Sequence, residues 1–179
     1  MSKESNHLDA KGLVKYFKDE FKTKIAKAEI KTRKEGKKQN EIVNIWMIID
    51  KSIFRPFIKH LIDYQYPHLA VVSGNDYPKD IELVYHFSLD YGKDRKEISL
   101  NVSVTVPKSK PEIESICDLI PGALITEREK QEMLGIKVKN IPDSRRLFLP
   151  DDFPEGVYPW RKDDKGMKKF IRNLHEVKK

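Results

Sequence analysis

The chain has 179 residues, 35% of them charged, with 35 Lys and Arg against 28 Asp and Glu and a formal net charge of +7. That length suits one domain plus an appended segment, and the lone Cys117 excludes an internal disulfide or a four-cysteine zinc or iron–sulfur site within the chain. A lone cysteine fits a reducing compartment, no apolar run approaches the roughly 20 residues that span a bilayer, and the opening "MSKESNHLDAKG" lacks a signal-peptide core, so a cytosolic chain, soluble or peripheral to a membrane, is expected.

Leu8 to Phe21 reads as an amphipathic helix, with Leu13, Phe17 and Phe21 spaced by four and Val14 beside them. "KIAKAEIKTRK" alternates as a strand, "EGKKQN" reads as a turn, and "EIVNIWMIID" is a β-branched strand, together a hairpin. The excess charge sits here. Residues 11–38 hold eleven basic and four acidic residues, and the rest of the chain holds twenty-four of each sign. Such a segment fits nucleic acid, an anionic membrane leaflet, an acidic protein or simply a solvated lysine-rich face. Tyr16, Phe17 and Phe21 fit a helix's apolar face better than base-stacking platforms, which argues against nucleic acid.

"SIFRPFIKHLIDYQY" has a helical period, with Ser52 as its N-cap and Pro56 in its first turn. "HLAVVSGNDY" reads as a short buried strand leaving into a turn at "SGND". "IELVYHFSLD" and "EISLNVSVTV" are two further strands joined by the turn "YGKDR". In the second, Ile98, Leu100, Val102, Val104 and Val106 share one face, and Ser99, Asn101, Ser103 and Thr105 the other, wet face. "SKPEIESICDLIPGA" predicts a short helix capped by Ser109, with Pro111 early in it. "TEREKQEMLG" predicts another, with Thr126 and Glu129 as a capping box and Gly135 as its stop. Lys165 to Lys179 predicts a basic terminal helix. The fold class expected is α+β: an antiparallel or mixed sheet packed with helices, in a domain over 1–135, followed by an extended proline-rich arm over 136–179.

The arm carries Pro142, Pro150, Pro154 and Pro159 among Phe148, Phe153, Tyr158 and Trp160, which forbids a long helix or a central strand. Disordered segments are poor in aromatics, so an extended arm of this kind is expected to be held by another protein. Catalytic signals are weak. His7, His60, His68, His86 and His175 show no metal-ligand spacing. Cys117 reads as a small buried hydrophobe. No phosphate-binding glycine motif occurs. Asp151–Asp152 and Asp163–Asp164, beside Arg145–Arg146 and Arg161–Lys162, are expected to meet opposite charges rather than a cation.

Several fixed positions then line up. Glu127-Arg128-Glu129, Met133-Leu134-Gly135-Ile136, Pro142-Asp143-x-Arg145-Arg146, Leu149-Pro150-Asp151-Asp152, Gly156, Pro159 and Arg161-Lys162-Asp163 resemble the signature of the 30 kDa subunit family of NADH–quinone oxidoreductase, respiratory complex I. The match is dense from about Ser99 to Asp163 and pattern-level before that. Glu132, Leu134, Ile141, Phe153 and Trp160 depart from the family's Asp, Phe, His, Trp and Leu. The sequence "GVYPWRKD" looks more like the homologous subunit of archaeal membrane-bound [NiFe] hydrogenases and of related sulfur-reducing complexes.

The resemblance implies a non-catalytic structural subunit with no cofactor of its own. It implies partners, a large catalytic subunit and iron–sulfur subunits, that hold the [NiFe] centre and the clusters, in a complex on the cytoplasmic face of the cell membrane. It also implies an interface made by Glu127, Arg128, Glu129, Arg145, Arg146, Phe148, Asp151, Asp152, Tyr158, Trp160, Arg161, Lys162 and Asp163, with no role for nucleic acid.

Overall fold

The structure is a computed structural model and describes residues 8–93, 97–167 and 170. Helix α1 (Ala10–Phe21) starts where the Asp9 carboxylate accepts the Gly12 amide at 2.7 Å. It buries Leu13 and Phe17 completely. The hairpin follows as predicted, β1 (Ile25–Glu35) and β2 (Asn40–Ile49), antiparallel, with Gly36 in the turn at φ +72°. Helix α2 (Phe54–Tyr64) lies beside α1, joined to it by the stacked rings of Phe17 and Phe57, 4.3 Å apart, and of Tyr16 and His60, 4.1 Å apart. Ser52 is not its cap. The Asp50 carboxylate accepts the Ser52 amide at 2.8 Å and caps a 3₁₀ turn, Lys51–Ile53, that leads into the helix.

Strands β3 (His68–Asp76), β4 (Asp80–Leu89) and β5 (Ile98–Pro107) complete a five-stranded mixed sheet of order β1-β2-β5-β4-β3. The central β2–β5 pair is parallel and the others antiparallel. A parallel pair needs a long crossover, and residues 50–97, with α2 and the β3–β4 hairpin, provide it. Ser73 to Asp76 continue β3 rather than turning. Gly74 is there because a Cβ would lie 2.4 Å from Leu134 Cδ1, so it is a packing glycine, not a turn glycine. Strand β3 is also an edge strand rather than a buried one, with Val71 exposed on its outer side.

Leu100, Val102, Val104 and Val106 face the core as predicted. The opposite face of β5 is drier than its alternation implies. Asn101 and Ser103 are buried by hydrogen bonds to neighbouring strands, Asn101 to His86 and to the Ile45 carbonyl, Ser103 to Glu82.

The helix predicted from Ser109 does not form. Glu112–Glu114 is a short strand, β6, paired in parallel with β7 (Lys137–Lys139). Ile113 and Val138 point inward from these strands, and the carbonyl of Pro111 takes the Lys137 amide at 2.7 Å. A distant strand thus outcompeted the local helical preference. Arg55 of α2 holds the following turn by a bidentate bond to Asp118, 2.7 and 2.8 Å.

Helix α3 (Ala123–Leu134) begins three residues before the predicted capping box. Thr126 is inside it, and its hydroxyl donates back to the Ala123 carbonyl at 3.1 Å. Gly135, left-handed at φ +67°, ends it as predicted. Residues 140–167 form turns packed against α3. The predicted terminal helix over Lys165–Lys179 and the histidines His7 and His175 lie largely or wholly outside the described residues, as does part of the turn over 91–95.

Candidate partner interface

Helix α3 buries three charged side chains, Glu127, Arg128 and Lys130. A helix clamped from two sides explains this. On the core side Glu127 is 1% exposed. Its carboxylate accepts Ser115 Oγ at 2.6 Å, the Ile116 amide at 3.1 Å and Cys117 Sγ at 3.2 Å. Burial pushes its pKa up and these donors pull part of the shift back. Burial also raises the Cys117 thiol to about 11, so it is a neutral donor and not a nucleophile at ordinary pH. Tyr85, fully buried against Glu127, is raised well above its usual value, first by burial and then by the carboxylate.

On the outer side the irregular segment lacks ladder partners for its backbone, and buried amides and carbonyls require them. Charged side chains supply them. Arg128 donates to the carbonyls of Arg145 and Arg146 at 2.9 and 2.8 Å, and lies 3.4 Å from Asp143. Glu132 accepts the amides of Leu147 and Phe148, the latter at 2.9 Å. Arg146 donates to the carbonyls of Pro150 and Phe153 at 2.6 and 3.0 Å. Arg145 forms a fork on Asp143, 3.0 and 2.8 Å, which holds that carboxyl well below the usual range.

The last turn of α3 has orphan carbonyls. The Trp160 amide donates to that of Met133 at 3.0 Å, and Arg161 Nε to that of Leu134 at 2.7 Å. Tyr158 covers Gly135 so closely that a Cβ there would lie 2.3 Å from its ring. Lys130 pairs with Glu129, and its ammonium lies 4.5 Å from the centre of the Trp160 ring. Burial lowers its pKa and Glu129 opposes the fall. Lys108, just after β5, bridges Asp76 at 2.7 Å and Asp163 at 3.0 Å. Burial pulls Lys108 down, but the two carboxylates outweigh it. Asp76 also accepts the Lys162 amide at 2.9 Å.

The candidate set therefore divides. Glu127, Arg128 and Arg161 turn inward and serve the chain's own fold. Glu129, Arg146, Tyr158 and Asp163 are half-buried and engaged within the chain. Arg145, Phe148, Asp151, Asp152, Trp160 and Lys162 are exposed. Glu132 stands where the family signature has another carboxylate but was not among the expected site residues, and Lys130, Lys108 and Asp76, as important to the clamp as the rest, had no signal in spacing or composition. Only the folded chain brings them to the segment.

A second polar cluster lies on the outer sheet face. Ser73 Oγ is 2.7 Å from His86 Nε2, and His86 Nδ1 is 2.6 Å from Asn101 Oδ1. This row has the order of a nucleophile, a base and an orienting amide. His86 and Asn101 lie on β4 and β5, which are paired on both sides, while Ser73 lies on the edge strand β3 opposite Val84. The row is a satisfied cross-strand network. Among the described residues no group of three or more His, Cys, Asp or Glu is arranged to hold a metal ion. None of the described helices is long and apolar enough to cross a membrane.

The architecture and its wiring define a small α+β subunit-like domain that shapes an irregular, charged C-terminal segment against its last helix. The chain matches the family described as "Respiratory-chain NADH dehydrogenase, 30 Kd subunit" over residues 47–169, and it belongs to that family. It is 33% identical over 150 residues to the membrane-bound hydrogenase subunit beta of Pyrococcus furiosus, covering 83% of each chain. It is 39% identical over 98 residues to formate hydrogenlyase subunit 5 of Escherichia coli, covering 53% of this chain but 17% of that longer one. In fold it is similar to a chain of the membrane-bound sulfane sulfur reductase, described as an archaeal respiratory membrane complex. That likeness has a TM-score of 0.70, 21% identity, and coverage of 94% and 92% of the two chains.

Proposed function

We propose that this chain is a non-catalytic structural subunit in the hydrophilic arm of a membrane-bound oxidoreductase complex of the energy-converting hydrogenase or NADH–quinone oxidoreductase type. It straps onto the large catalytic subunit through residues 141–167. One observation carries this reading. The charged residues of the family signature are used inside the chain to hold an irregular segment in one shape, which leaves Arg145, Phe148, Trp160 and Lys162 displayed on a preformed surface. Preorganisation of this kind lowers the entropy cost of binding, and exposed aromatics with Arg are the residues that anchor interfaces. The relatives support it. The counterpart in Pyrococcus furiosus is a subunit of a membrane-bound hydrogenase. In formate hydrogenlyase subunit 5 the matched stretch is a small part of a longer chain, as expected of a domain that works beside a larger body.

In this reading the [NiFe] centre and the iron–sulfur clusters belong to partner subunits, and the complex lies on the cytoplasmic face of the membrane. The likeness in fold to the sulfane sulfur reductase chain keeps a sulfur-reducing complex as the second reading. The test is a tagged pull-down from gently solubilised membranes, with mass spectrometry of the partners and nickel and iron analysis of the eluate. A large hydrogenase-like subunit with nickel and iron is the expected result. Iron without nickel would select the sulfur-reducing or quinone-reducing relative. A lone metal-free chain would overturn the subunit reading.

A further inference from the structure

Lys11, Lys15, Lys18 and Lys22 fall at spacings of four, three and four on the solvent side of α1 and its last turn, and all are exposed. At about 100° per residue they occupy one narrow arc. None has an ion-pair partner among the described residues. Like charges at these spacings repel along a helix, so the row costs the free chain stability, moderated by the neighbouring carboxylates of Asp9, Asp19 and Glu20. The opposite face of the helix is committed, with Leu13 and Phe17 fully buried and Tyr16 stacked on His60. Beyond Val43, where β2 leaves β5, the basic hairpin projects with Lys34, Lys37 and Lys38 also exposed.

The choice of cation separates this surface from the one around α3. Residues 11–38 use ten lysines to one arginine. Around α3 the cations that make directed bonds to backbone carbonyls are arginines, Arg128 and Arg146 to carbonyls of the segment and Arg161 to that of Leu134 in α3. Arginine is a rigid fork suited to fixed acceptors, whereas lysine is a hydrated point charge on a flexible stem. Protein interfaces are enriched in Arg and depleted in Lys. A lysine row with no fixed acceptors fits a laterally mobile anionic surface. Nucleic acid is disfavoured because the aromatics of α1 are turned into the core and leave no stacking platform.

We propose that the lysine face of α1 is a docking surface for the anionic phospholipid headgroups of the membrane that carries the complex. This deepens the subunit reading and rests on it for the presence of that membrane, but the contact itself belongs to this chain alone. Attraction of this kind gives about fivefold in partitioning per lysine near the surface and fades within a Debye length.

The experiment is sedimentation of the full chain with phosphatidylcholine vesicles with and without phosphatidylglycerol, across a salt series. The wild type should bind only the anionic vesicles, and binding should vanish at high salt. The variant K11Q/K15Q/K18Q/K22Q, which touches no buried group, should melt at or slightly above the wild-type temperature and lose at least about a hundredfold in partitioning. The variant R145Q/K162Q should bind vesicles as the wild type does while weakening recovery of partner subunits, which keeps the two readings separate. The proposal is overturned if the wild type ignores anionic vesicles at low salt, or if the quadruple variant binds them equally. Tighter binding to an oligonucleotide, or loss of partner subunits instead of vesicles in the quadruple variant, would overturn it too.

Discussion

Glu127 is a signature residue expected at a partner interface, yet it meets neutral donors in the chain's own interior. Replacing it by Ala leaves the Ile116 amide and the Ser115 hydroxyl without their acceptor. The expected loss is about 2–3 kcal/mol in denaturant unfolding. Its pKa carries a second consequence. Burial raises the folded-state value above that of the unfolded chain, so between the two values the folded chain binds more protons. Stability from this group is therefore fully present below the unfolded carboxylate range and declines as pH rises through the folded value. Glu127→Gln should abolish that decline. A variant whose stability falls with pH in parallel with the wild type would show that the carboxyl does not titrate this way.

At the scale of elements, α3 is the hub. Its core side rests on β3 through Leu134 and Gly74, and its outer side holds the segment that follows. Lys108 ties the far end of that segment to the sheet by joining Asp163 to Asp76, whose side chain is 2% exposed. Lys108→Met keeps the apolar stem but leaves two carboxylates without their shared cation. The expected cost is about 2–3 kcal/mol. Hydrogen exchange should rise over residues 158–163 before it rises in β3. Unchanged exchange there would mean that Arg161 and the Trp160 amide hold the segment without the bridge.

For the whole molecule, the helices lie on one face of a mixed sheet, and the core cluster runs from Leu13 to Val138. Among the described residues, no buried apolar side chain lies beyond Val138. Deleting 142–164 should therefore leave a folded sheet, with far-UV circular dichroism nearly intact. The melting temperature should fall by about 5–10 °C as the clamp on α3 is lost, and recovery of the large partner subunit should cease. Co-purification of the truncated chain with that partner would count against the strap.

Local pattern was enough to determine the hairpin, α1, α2, β4, β5 and the end of α3, because periodicity and a positive-φ glycine act within a few residues. The signature residues also fall on α3 and the irregular segment packed against it. Tertiary structure alone decided three things. It made Glu112–Glu114 a strand, since its partner β7 lies more than twenty residues away. It made "SGND" part of an edge strand, since the reason for Gly74 is the side chain of Leu134. And it divided the signature into residues that build the segment and residues that display it, because Glu127 looks the same in sequence whether its carboxylate meets water or Ser115, Ile116 and Cys117. Spacing along the chain encodes which residues share a face, but which body that face meets depends on contacts that form only when distant elements pack.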